Sequence, residues 1–135
     1  MLRFFIGLAF GVILTISAFG AGGVGHGTYA PLIFTDPFVI LLPDSVAIVA
    51  VLAGPLLWAA YFQFIPKIKR GSARLITLAA LLVTHLLAGI FVAVNDPAFA
   101  RALGQERRGL IGFAIIVVLA MSTLLVFSLR ERIRS

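Results

Sequence analysis

Two histidines and five carboxylates supply the sequence's means of moving a proton or holding a metal ion. His85 stands apart from the rest. It lies ten residues past Leu75 inside an uncharged apolar run, so about 15 Å along a helix from that end. An ionisable side chain at such a depth is a candidate for function. Its chemistry would be that of a proton relay, a metal contact or an ion-path ligand. The plainer role is a neutral imidazole hydrogen-bonded to a neighbouring helix. Thr84 beside it, with Ala88 and Gly89 one turn on, places it at a crowded helix interface.

His26 sits between Gly25 and Gly27, where the backbone can come close to a ligand or another helix. Asp36, Asp44, Asp96 and Glu106 fall on one side of the expected topology, the same side as His26. One imidazole with two carboxylates is a donor set for a divalent ion. No such ligands recur at i, i+3 or i+4, so no metal site is expected. Asp44 has an ordinary role as a helix cap, and Asp36 and Asp96 as turn formers before Pro37 and Pro97. The candidate functional residues are therefore His85, His26, Asp36 and Asp96. Gly20–Gly27 lacks the Lys and Ser/Thr of a phosphate loop and follows no strand, so no nucleotide or other cofactor is expected. No Ser–His–Asp set, carboxylate pair or HExxH occurs at usable spacing, and an enzyme is not expected. Cysteine is absent, which removes thiolate metal sites and disulfides.

The elements that position these residues follow from composition. Of 135 residues, 61% are hydrophobic and 12% charged, against about half and a quarter in soluble domains. The polar groups are too few to clothe a water-soluble globule, so lipid must cover the surface. A membrane-crossing helix needs about 20 apolar residues. Four runs qualify, at about 4–24, 46–65, 75–94 and 110–129, and none contains Asp, Glu, Lys or Arg. One such residue at mid-bilayer costs about 2.5–3.5 kcal/mol. The expected fold is all-α, a single domain over 1–135: an integral membrane bundle of four transmembrane helices. Asp44-Ser45 caps the second helix, Pro66 stops it, and Asn95-Asp96-Pro97 closes the third. Between the first two helices, Gly20–Pro43 forms a long Gly/Pro-rich outer loop. It is apolar and free of Lys and Arg, so it should lie at the interface or dip in beside the helices.

Orientation follows from Lys and Arg in the short flanks. One side holds Arg3, Lys67, Lys69, Arg70, Arg74, Arg130, Arg132 and Arg134, eight in all; the other holds Arg101, Arg107 and Arg108, three. Both termini are thus expected in the cytoplasm of a plasma or bacterial inner membrane. Lys67, Lys69, Arg70 and Arg74 form a juxtamembrane loop that meets lipid headgroups and sets orientation. The net charge of +6 is explained this way, and nucleic acid is not an expected partner. The first run also has the layout of a signal peptide: Arg3, an apolar stretch, then Ser17-Ala18-Phe19-Gly20. Cleavage there would leave three helices.

Small residues supply the packing signal. Gly7 and Gly11 form a GxxxG pair, Ala50 and Gly54 repeat the spacing before Pro55, and Ala80, Thr84 and Ala88 do so in the third run. Such spacing lets membrane helices approach closely. Trp58 and Tyr61 read as interfacial anchors. Together these features suit a non-catalytic helix-packing subunit of a membrane complex, with a second copy or another membrane protein as partner. The alternative is an oligomeric channel or carrier for a small solute.

Overall fold

The computed structural model describes residues 1–21, 35–38, 47–95 and 107–134. The described chain is all-helical. Helix α1 spans Leu2–Ala21, α2 Ala47–Phe64, α3 Gly71–Asn95 and α4 Arg107–Arg134. A single 3₁₀ turn, Ile65–Lys67, ends α2 where Pro66 cannot continue it. The bounds depart from the apolar runs by a few residues, most at two places. Helix α3 starts at Gly71 rather than near Leu75, and α4 runs into its basic tail. Residues 22–24, expected to finish α1, lie outside the described residues, as does most of the Gly/Pro-rich loop.

Among the described residues, three helices are long and apolar enough to cross a membrane: Leu2–Gly20, Gly71–Phe91 and Ile111–Arg130. These three spans point to insertion in a bilayer. Helix α2 is the short one, 18 residues, or about 27 Å against a hydrocarbon core of about 30 Å. The outer faces carry large apolar side chains, among them Ile13, Ile16, Leu82, Leu86, Ile90, Val118 and Leu125. Such a surface is costly in water and ordinary in lipid.

The tightest contact is between α1 and α2. A Cβ placed on Gly7 would lie 2.6 Å from the Trp58 carbonyl oxygen, and one on Gly11 would lie 2.5 Å from the Pro55 Cα. Only glycine permits backbones that close. Around this seam lies the core: Leu14, Ala18, Trp58 and Phe62, joined by Phe113, Ala120 and Leu124 from α4. Phe10 stacks on Phe62 at 5.6 Å, and Phe127 meets the same ring edge-on at 6.0 Å. Helix α3 reaches this core through Leu78.

One end of the bundle is built from charge and carbonyls. The Arg3 guanidinium lies 6.0 Å from the Phe127 ring, so the start of α1 and the last third of α4 share that end. Arg74 is buried there. Its Nε and Nη2 donate to the Ile68 carbonyl at 3.0 and 2.6 Å, and its Nη1 donates to the Ser128 carbonyl. These acceptors explain why α3 begins a turn before its apolar run: Arg74 is used inside the bundle. Lys67, Lys69 and Arg70 remain exposed, with Lys67 Nζ 5.7 Å from the Phe64 ring.

Adding a methyl at the seam should be costly and adding one elsewhere should not. Gly11→Ala is expected to lower unfolding stability in detergent by about 1–3 kcal/mol through overpacking. Gly112→Ala, where nothing lies within 4 Å of the new atom, is expected to be neutral or slightly stabilising. Chemical or thermal unfolding of both variants checks the contrast.

Candidate functional site

His85 lies on the inward face of α3, 8% exposed. Its Nδ1 is 2.9 Å from the Leu81 carbonyl one turn back. A carbonyl only accepts, so Nδ1 carries the hydrogen, and the neutral ring leaves Nε2 as a bare acceptor. That atom is buried and has no partner among the described residues. Buried acceptors without donors are uncommon and costly.

Two aromatic rings wall the imidazole. Trp58 and Tyr61, both from α2, have their ring centroids 6.0 Å from it, inclined at 65° and 70°. They also meet each other edge to face at 5.8 Å. Trp58 is not an interfacial anchor: it is 1% exposed, and its indole N–H donates to the Thr35 carbonyl at 3.0 Å. A buried Trp needs such a partner, and here it comes from the segment that precedes α2. Tyr61 is half-buried.

That bond draws the segment 35–38 into the bundle. Thr35 and Asp36 are buried beside Trp58. Asp36 Oδ1 accepts the Phe38 backbone N–H at 3.0 Å, the Asx turn expected before Pro37. Burial pushes the Asp36 carboxyl above its ordinary range, while the Phe38 N–H and nearby His85 pull it part of the way back. Beneath the segment, Gly54 leaves room for two hydroxyls: a Cβ there would lie 3.5 Å from both Thr15 Oγ1 and Thr35 Oγ1. Thr15 spends its own proton on the Gly11 carbonyl at 2.8 Å.

Of the four candidate functional residues, His85 and Asp36 are buried, His85 against the Trp58 ring and Asp36 next to the Thr35 that Trp58 holds. His26 and Asp96 lie outside the described residues. Among the described residues, no group of three His, Cys, Asp or Glu comes together that could hold a metal ion. Thr35, Trp58 and Tyr61 were not legible as site residues. The one available signal was that Trp58 and Tyr61 stand three apart, on one helix face. Among the packing residues, Gly7, Gly11 and Gly54 face contacts within the chain, and Ala88 is buried. Ala80 and Thr84 are exposed; the side chain of Ala50 lies outside the described set. Beside the site, an open groove of about 630 Å³ is lined by Pro37, Thr84, Leu87, Ala88, Ile90 and Phe91.

No family model, curated protein or solved structure matches the chain. The geometry defines an all-helical chain with three helices long and apolar enough to cross a membrane and a buried histidine walled by Trp58 and Tyr61.

The raised Asp36 carboxyl carries a sign. The folded chain holds that proton more tightly than the unfolded chain does. Its contribution to stability is therefore full below the ordinary carboxylate range and is lost as pH rises through the raised value. Asp36→Asn is expected to flatten the fall in stability on that alkaline limb. Unfolding midpoints of the two proteins at successive pH values check this; parallel curves would exclude it.

Proposed function

We propose that the chain crosses the membrane four times, with both termini in the cytoplasm, and serves as a non-catalytic packing subunit of a membrane complex. One observation carries the reading. The chain uses Gly7, Gly11 and Gly54 for its own contacts, yet leaves Ala80 and Thr84 exposed at small-residue spacing on α3. In lipid there is no hydrophobic drive between helices, so small residues matter where backbones approach. On α3, Thr84 lines an open apolar groove with Leu87, Ala88, Ile90 and Phe91, and Ala80 lies one turn before it, so side chains of another membrane helix have a place to seat. Helix α2 completes the fourth crossing with help from the Ile65–Lys67 turn. The shared end of α1 and α4, with the exposed Lys67, Lys69 and Arg70, is the cytoplasmic one by the positive-inside rule.

A second reading, an oligomeric channel or carrier for a small solute, is favoured by the buried His85 and Asp36. Reconstituted vesicles test it: flux that His85→Ala abolishes and Thr84→Ala preserves is the expected result on that reading. Vesicles tight to every small ion and neutral solute tried would count against it.

The leading proposal predicts that the protein purifies in mild detergent with a stoichiometric membrane partner or a second copy. Ala80→Leu should release a folded, solitary chain, while Leu86→Ala, at an exposed site on another face of α3, should not. Native mass measurement of the detergent complex reads both. A wild-type chain that is strictly monomeric would defeat the proposal, and a carboxy-terminal tag reached from outside intact cells would overturn the orientation.

A further inference from the structure

The four cations between α2 and the first turn of α3 divide into one turned in and three turned out. Arg74 is buried. Its Nε and Nη2 both donate to the Ile68 carbonyl, and its Nη1 donates to that of Ser128 on α4. The residue it grips lies between Lys67 and Lys69. Ile68 has extended backbone, with φ −63° and ψ 114°, so its side chain and those of its two neighbours point opposite ways. Ile68 packs against the core, while Lys67 and Lys69 are exposed, as is Arg70. The backbone fixes the loop as well: Ile68 N–H donates to the Ile65 carbonyl at 3.1 Å, and Arg74 N–H to that of Arg70 at 3.0 Å. Three cations are thus presented outward by a loop whose course is set from within.

Their neighbours are apolar. Lys67 Nζ lies 5.7 Å from the Phe64 ring, and Phe64 is itself exposed, as are Leu75 and Ile76 early in α3. Such side chains face acyl chains, so the cations beside them reach to the level of lipid phosphates. The sequence has no Asp or Glu between Asp44 and Asp96, so the two helices that the loop joins bring it no carboxylate. Helix α1 has none either. Helix α4 carries Glu131, but within a tail that also holds Arg130, Arg132 and Arg134. A zwitterionic headgroup would bring its own ammonium against these cations. A headgroup of net negative charge brings only attraction.

We propose that Lys67, Lys69 and Arg70 form a selective site for the headgroup of an anionic phospholipid. The phosphodiester meets the three cations, and the acyl chains lie along Phe64, Leu75 and Ile76. Arg74 positions the loop and does not touch the lipid. The site rests on the membrane crossing proposed above and adds to it a preference among lipids, which orientation by charge alone does not require.

Lys67 and Lys69 are the only lysines in the sequence, so ¹⁵N in lysine side chains reports on this loop and nothing else. The full chain is reconstituted in bilayers of equal parts phosphatidylglycerol and phosphatidylcholine, with ¹³C in the headgroup of one lipid or the other. Solid-state NMR then reads dephasing of the lysine ¹⁵N by headgroup ¹³C. The expected result is dephasing by the glycerol headgroup and little by choline. Equal dephasing by both overturns the site, leaving a general interfacial contact. The phosphatidylglycerol fraction that gives half the effect should rise about fivefold in Arg70→Gln, the worth of one juxtamembrane cation. It should stay unchanged in Arg130→Gln, which removes an exposed charge from the same end. Equal shifts in the two variants overturn the cluster in favour of the overall field. Both leaflets have one composition, so the result does not depend on which way the chain faces. Magnetisation transfer from acyl chains to the protein reports insertion separately. A chain that receives none overturns the crossing and the site together, whereas an inserted chain without lipid preference overturns the site alone. The wild-type measurement needs no substitution, so a variant that fails to fold leaves the central result readable.

Discussion

The fold depends on how closely the backbones of α1 and α2 approach. At Gly7 and Gly11 the space a methyl would need is already filled by main-chain atoms of Trp58, Ala59 and Pro55. Lipid gives apolar helices no reason to leave it for one another, so dispersion over a tight seam must hold them. The seam also fixes rotation. With Pro55 and Trp58 set against α1, the Trp58 and Phe62 side chains turn into the core and meet Leu14, Phe10 and α4. Once Trp58 is buried, its indole N–H requires an acceptor, and the Thr35 carbonyl fills that need. The seating of the segment 35–38 beside Trp58 is thus a consequence of two glycines a helix away.

Two side chains tie the described helices to the segments between them. Arg74 donates to carbonyls of the turn after α2 and of α4. Guanidinium suits the task because its planar fork serves two acceptors at once. Ser128 assists with a hydroxyl bond to the Leu124 carbonyl at 2.7 Å. Within the bundle, a neutral donor, Trp58, ties in the segment before α2.

The helices themselves were legible, because an uncharged run of about 20 residues has the length and composition of a bilayer crossing and of little else. The stops at Pro66 and Asn95 were legible from local chemistry, a missing N–H at one and a turn-forming Asn-Asp-Pro at the other. Facing was not. Helices in lipid are apolar on all sides, so periodicity, the usual guide to the buried face, carries little signal. Trp58 therefore looked like an interfacial anchor and Arg74 like a headgroup contact, while both turn inward. His85 could be picked out because its depth alone marks it. Asp36 could be read as a turn former, which it is. Its burial follows from the Trp58–Thr35 bond, which joins residues far apart in the chain and which no local pattern announces. The glycine pair in α1 was legible as a packing signal; its partner, the Pro55–Ala59 stretch, was not.

The seam can be read directly in unaltered protein. Carbon–carbon correlation by solid-state NMR, on chain labelled in glycine and proline and reconstituted in bilayers, should show a strong cross-peak between Gly11 Cα and Pro55 Cα. The two atoms lie in backbones that leave no room for a methyl, so the peak should build up at short mixing times. A Pro55 signal that is well resolved yet correlates with no glycine of α1 would contradict the account at its root.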